Sequence, residues 1–150
     1  MKIRFEYDDG GRSDAGFKGS AGDCVARAIA IAAGLPYDAV YQRLAAETGK
    51  QRAGKKGKRP ATAREGINTT RKWFKDYMAE LGFRWIPTMS IGQGCKTHLR
   101  ADELPTGRLV VAVSKHYTAV IDGVVHDTHD CSREGTRCVY GYWMVSGQEP

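Results

Sequence analysis

Nowhere does this chain run about 18 apolar residues together, so no transmembrane helix is expected. The first seven residues, Met1-Lys2-Ile3-Arg4-Phe5-Glu6-Tyr7, alternate like a strand and lack the apolar core of a signal peptide. With no export signal, the four cysteines (24, 95, 131 and 138) are expected to be reduced and the protein cytoplasmic. Neither a disulfide nor a metal is demanded by size, because a single domain of 150 residues buries roughly 68–70% of its unfolded surface. Acids are missing from one stretch. Between residues 50 and 64 lie Lys50, Arg52, Lys55, Lys56, Lys58, Arg59 and Arg64, seven positive charges with no carboxylate among them. Outside it, sixteen basic residues stand against seventeen acidic ones, so the net charge of +6 belongs to this segment and not to the body. The segment has no apolar period and reads as an exposed basic loop. Contact with nucleic acid, another polyanion or an acidic protein is the functional reading, and a solvated insertion between helices is the plain one. Aromatics are absent from the run, which removes the stacking half of single-strand recognition.

What is present has a clear order. Val25 to Ala33 is apolar and alanine-rich, with Gly34 placed as a C-terminal stop, and predicts a buried helix. Asp23 is the N-cap candidate, which puts Cys24 on the first helical residue. There, unpaired N–H groups and the positive end of the helix dipole favour a thiolate. The alternative is that Cys24 is a small hydrophobe in a core helix. A second helix is predicted from Pro36 to Thr48, and a third from about Thr70 to Leu81 with Asn68 or Thr69 as its cap. Strands follow at Phe83–Pro87, Leu109–Val113, Tyr117–Ile121, Val124–Thr128 and Cys138–Val145. Helices first, then a meander of antiparallel strands, argue for an α+β fold of one domain over residues 1–150.

Asp122-Gly123 is a strong two-residue hairpin signal, and it sets a register. Ile121 then pairs with Val124, Val120 with Val125, Ala119 with His126 and Thr118 with Asp127. Side chains alternate, so His116, Thr118, Val120, Val125, Asp127 and His129 share one face, with His126 on the other. Asp127 becomes the diagonal neighbour of His116, about 7–8 Å away at the backbone and within reach of an imidazole. A thiolate nucleophile needs a base, and the base needs a third group to orient it and stabilise its imidazolium. Cys24, His116 and Asp127 supply those roles.

The stretches Gly22-Asp23-Cys24-Val25-Ala26-Arg27-Ala28, Ser114-Lys115-His116-Tyr117-Thr118-Ala119-Val120-Ile121-Asp122-Gly123 and Val125-His126-Asp127-Thr128 resemble the papain-like cysteine peptidase fold. The resemblance is to its compact bacterial and phage forms, of the NlpC/P60 and bacteriocin-processing types. It implies a cysteine opening a central helix that packs on a C-terminal antiparallel sheet. It also implies that Cys24 is the nucleophile, His116 the general base and acid, and Asp127 the orienting group of a hydrolase that cuts an amide or isopeptide bond in a peptide or protein. No cofactor is implied. One departure stands out: such enzymes usually carry a Gln a few residues before the cysteine, and no Gln or Asn lies between residue 8 and Cys24. Lys18 and Ser20 are the remaining oxyanion candidates. Losing one such donor costs roughly 2.7–4 kcal/mol of transition-state stabilisation. A weak enzyme, or a binding module that kept the fold and works through its basic loop, is therefore the alternative.

A metal site is the competing constellation. His126, His129, Cys131 and Cys138 crowd together, but their spacing fits no zinc frame and the two histidines leave opposite faces. Cys95-x-x-His98 is a weaker pair of the same kind, and no metal is expected. A Cys131–Cys138 disulfide is easy geometrically and unexpected in a reducing compartment.

Overall fold

A computed structural model describes residues 3–13, 16, 23–49, 69, 71–89 and 92–145. Among them are strand β1 (Arg4–Tyr7), helices α1 (Cys24–Ala33), α2 (Tyr37–Gly49) and α3 (Lys72–Glu80), and strands β2 (Phe83–Pro87), β3 (Arg108–Val113), β4 (His116–Ile121), β5 (Val124–Asp127) and β6 (Val139–Val145). The fold is α+β: three helices and a six-stranded sheet in the order β1-β5-β4-β3-β6-β2. The expected meander is only part of it. β1 lies parallel to β5, Arg4 beside Val124 and Tyr7 beside Asp127, so the sheet is mixed rather than antiparallel throughout. The long excursion through the helices lets the chain enter the sheet at one edge and return in the same direction, which a tight turn cannot do.

β3 occupies an inner position of the sheet, and its continuous apolar run is buried on both faces from Leu109 to Val113. Val110 faces α1 with Ala119 and Trp143, whereas Leu109, Val111 and Val113 face a second cluster with Val120, Val125 and Met144. α1 sits against β4, and its alanines at 26, 28, 30 and 32 are all buried, short side chains that let neighbouring elements approach the helix backbone closely. Gly34 ends it in the left-handed region (φ 68°), where Leu35 donates back to the Ala30 carbonyl. Gly10, also at positive φ, holds the 8–13 turn against α1, and a Cβ there would lie 3.2 Å from the Arg27 carbonyl oxygen.

Three local expectations need correction. Asp23 occupies the N-cap position of α1 but caps nothing, because its buried carboxylate is taken by side chains. α3 starts at Lys72 with Arg71 at its cap position and no side-chain cap; Asn68 and Thr70 lie outside the described residues. The cysteines are not all reduced. Cys95 and Cys138 form a disulfide with Cα atoms 5.9 Å apart, while Cys24 and Cys131 are free. The bridge between His98 and Cys138, with Leu99 donating to the Arg137 carbonyl and Val139 to that of Thr97, lays the two segments side by side. Cys131 instead is buried in the second core cluster as a free thiol.

Candidate active site

The site grows from the β4–β5 hairpin. Asp122 and Gly123 both have positive φ (48° and 78°), the backbone twist that a two-residue turn needs, and Asp122 Oδ1 accepts from the Gly107 N–H at 2.7 Å. The register is Ile121–Val124, Val120–Val125 and Ala119–His126. A slip of one residue would send Asp127 to the opposite face. In this register the buried Asp127 carboxylate meets three donors at 2.7 Å. Oδ2 accepts from Thr118 Oγ1 and pairs with His116 Nε2, and Oδ1 accepts from the Thr128 N–H. The Asp127 carbonyl accepts from the Asp8 N–H, which ties the strand end to β1.

His116 opens β4 directly after the Ser114–Lys115 turn, where Lys115 sits at φ 56°. With Nε2 engaged by Asp127, the other ring nitrogen is left for sulfur, and imidazole and Cys24 thiol are close enough for each to shift the other's titration. Cys24 is half-buried at the first residue of α1, and the Tyr117 N–H donates to its Sγ at 3.4 Å. Helix start, imidazole and carboxylate, from residues 24, 116 and 127, are thus brought together.

Their electrostatics agree in direction. Burial pushes the Cys24 thiol up, but the His116 hydrogen bond, the Tyr117 amide and the charges of His116 and Arg27 outweigh it and hold it below the ordinary thiol value. Burial pushes His116 down, and the Asp127, Cys131 and Cys24 hydrogen bonds override that and raise it to about 11. Asp127 is lowered: its burial opposes ionisation, and the His116 and Thr118 hydrogen bonds prevail. The combination favours a thiolate–imidazolium pair with an ionised acid behind it.

Sequence reasoning missed the support beneath this trio. Arg27, one turn along α1 from Cys24, bonds the Asp23 carboxylate and brings its Nη2 to 3.8 Å from Asp127 Oδ1. Asp23 also takes the Tyr37 hydroxyl and Arg12 Nε, the latter at 2.8 Å. The Asp23-x3-Arg27 spacing is a helical ion-pair signal that was available in the sequence. Cys131 had no such signal; its thiol lies 3.9 Å from Asp127 Oδ2.

His116, Asp127 and Cys131 cluster closely enough to suggest a cation site. The 2.7 Å between His116 Nε2 and Asp127 Oδ2 opposes it, because two such ligands on one tetrahedral zinc stand roughly 3.4 Å apart. That spacing belongs to a shared proton. The other metal candidates are not gathered: His126 lies toward Glu6, the His129 ring packs 5.1 Å from that of His116, and Cys138 is oxidised. Lys18 and Ser20, the expected oxyanion donors, lie outside the described residues. So do Lys50, Arg52, Lys55, Lys56, Lys58, Arg59 and Arg64 of the basic loop.

No family model, curated protein or solved structure matches the chain. Among the described residues, no helix is long and apolar enough to cross a membrane.

Proposed function

We propose that this protein is a thiol hydrolase of papain-like architecture that cleaves an amide or isopeptide bond in a peptide or protein substrate. The observation that carries the reading is His116 paired with Asp127 at 2.7 Å while the Tyr117 N–H, next along β4, holds the sulfur of a cysteine at a helix start. The Cys24 thiolate attacks the carbonyl carbon, and the C=O electron pair moves onto oxygen. As the first residue of α1, Cys24 has a backbone N–H without an intrahelical partner, and this N–H donates to that oxyanion. Collapse breaks the C–N bond, and the amine leaves with the proton from His116. His116 then deprotonates water, which attacks the thioester and releases the acid and the Cys24 thiolate. Asp127 keeps the ring in register throughout.

Iodoacetamide at pH 6 tests the first step. Cys24 is expected to be alkylated far faster than a free cysteine, whose thiolate fraction at that pH is well below one per cent. Mass mapping should find the adduct on Cys24 and not on the buried Cys131. A rate equal to that of free cysteine would remove the nucleophile from the proposal.

The basic loop is the proposed means of recruitment, resting on seven positive charges without an acid among them. Affinity for a polyanion such as heparin should fall steeply with salt and be lost when all seven are neutralised. Unchanged affinity in that variant would assign binding elsewhere.

A further inference from the structure

Outside the thiol site, among the described residues, sulfur and nitrogen ligands also gather around the disulfide. Cys95 and Cys138 are joined across the bridge between residues 98 and 138, and Cys95 is exposed. The His98 ring belongs to the same cluster. Its Nδ1 lies 3.2 Å from Glu103 Oε1, and its Nε2 lies 3.7 Å from Cys95 Sγ. Met89 Sδ is 3.8 Å from Cys138 Sγ.

Glu103 explains the orientation of the ring. An ionised carboxylate only accepts hydrogen bonds, so it selects the tautomer with the proton on Nδ1 and leaves a lone pair on Nε2. That lone pair is aimed at a sulfur which, as part of a disulfide, has no proton to give. A carboxylate behind one imidazole nitrogen with the other turned toward sulfur is how metal-binding histidines are commonly held. The spacing fits as well. A thiolate and an imidazole on one tetrahedral zinc stand about 3.6 Å apart, against the 3.7 Å observed.

We propose that, once its disulfide is reduced, this cluster binds a single thiophilic cation of the Zn2+ type through Cys95 Sγ, Cys138 Sγ and His98 Nε2. Two thiolates and an imidazole suit such an ion and not Mg2+ or Ca2+. A dithiol reductant supplies two electrons and two protons, the S–S bond opens to two thiols, and the reductant closes to its own disulfide. Zn2+ then displaces both thiol protons to solvent and takes the His98 lone pair, with its fourth position open to water. The site stands or falls independently of the peptidase reading, since it shares no residue with Cys24, His116 and Asp127.

The full chain, reduced with a dithiol and freed of it without air, is titrated with Co2+ as a spectroscopic stand-in for Zn2+. One equivalent should give thiolate-to-cobalt charge-transfer absorption that Zn2+ then displaces, and the oxidised chain should give none. The band should vanish in Cys95→Ser and in Cys138→Ser and persist in Cys24→Ser and Cys131→Ser. Glu103→Gln, which touches neither sulfur, should weaken binding by about 10–100-fold. His98→Ala, with both thiols intact, guards against misfolding of the Ser variants and should weaken binding at least as much. No band in the reduced chain, equal binding by the oxidised chain, a band that survives Cys138→Ser, loss of the band in Cys131→Ser, or indifference to both His98→Ala and Glu103→Gln would each overturn the assignment.

Discussion

Replacing His116 by Ala is expected to slow iodoacetamide alkylation of Cys24 at pH 6 by about a hundredfold. His116 supplies both the hydrogen bond and the positive charge that hold the Cys24 thiol below its ordinary value. Without them burial is the largest influence left, and it favours the neutral thiol, which is unreactive. The wild-type rate should rise less steeply with pH than that of the variant, which should gain about tenfold per pH unit as thiolate appears. The same pair predicts a signature in stability. Above 9.0, the ordinary thiol value, the unfolded chain has given up both protons while the folded chain keeps the one on His116, so stability falls as pH rises toward the folded His116 value of about 11. Urea titrations of the wild type from about pH 9 to 11 should show this loss. A wild-type rate that rises tenfold per pH unit like the variant's would mean that no ion pair exists.

How much of the site is legible in the sequence depends on how local its causes are. Asp122 and Gly123 determine a turn, the turn determines a register, and a period of two carries that register to Thr118, Asp127 and His116. Each step is short-range, so the His116–Asp127 pair follows from residues 116–127 alone. Cys24 was legible for the same reason, since Gly34 and the alanine run mark the helix that it opens. The features that escaped are set by distant segments. Asp23 looks like a cap in isolation, but the turn at residues 8–13 delivers Arg12 and α2 delivers Tyr37, and together with Arg27 they outcompete a backbone amide for its carboxylate. The Cys95–Cys138 disulfide joins residues 43 positions apart through an isolated bridge that no periodicity announces. Likewise, the parallel pairing of β1 with β5 sets Arg4 beside Val124, far apart in sequence, and no local pattern announces it.

The Asp23 network carries the largest expected effect on stability. The acid is almost wholly buried, and it faces the Arg27 and Arg12 guanidinium groups with side-chain exposures of 11% and 14%. Asp23→Ala would leave two cations with little water and no counter-charge from this residue. Breaking a buried pair from one side costs about 3–5 kcal/mol, which for a chain of this length lowers the melting temperature by roughly 10 °C. Tyr37 gives an internal control. Burial first, and then the adjacent Asp23 carboxylate, push its hydroxyl well above the ordinary value, so it remains a donor at all working pH values. Tyr37→Phe removes one neutral hydrogen bond to a charged acceptor and should cost about 1.5–3 kcal/mol, clearly less than losing the acid. Among the side chains of this network, Arg27 reaches toward the thiol site, its Nη2 standing 3.8 Å from Asp127. Below its melting transition, Asp23→Ala should therefore keep Cys24 alkylation at pH 6 within a few-fold of wild type. Collapse of that reactivity in a folded Asp23→Ala chain would show instead that Asp23 sets the position of Asp127 and belongs to the chemistry as much as to the core.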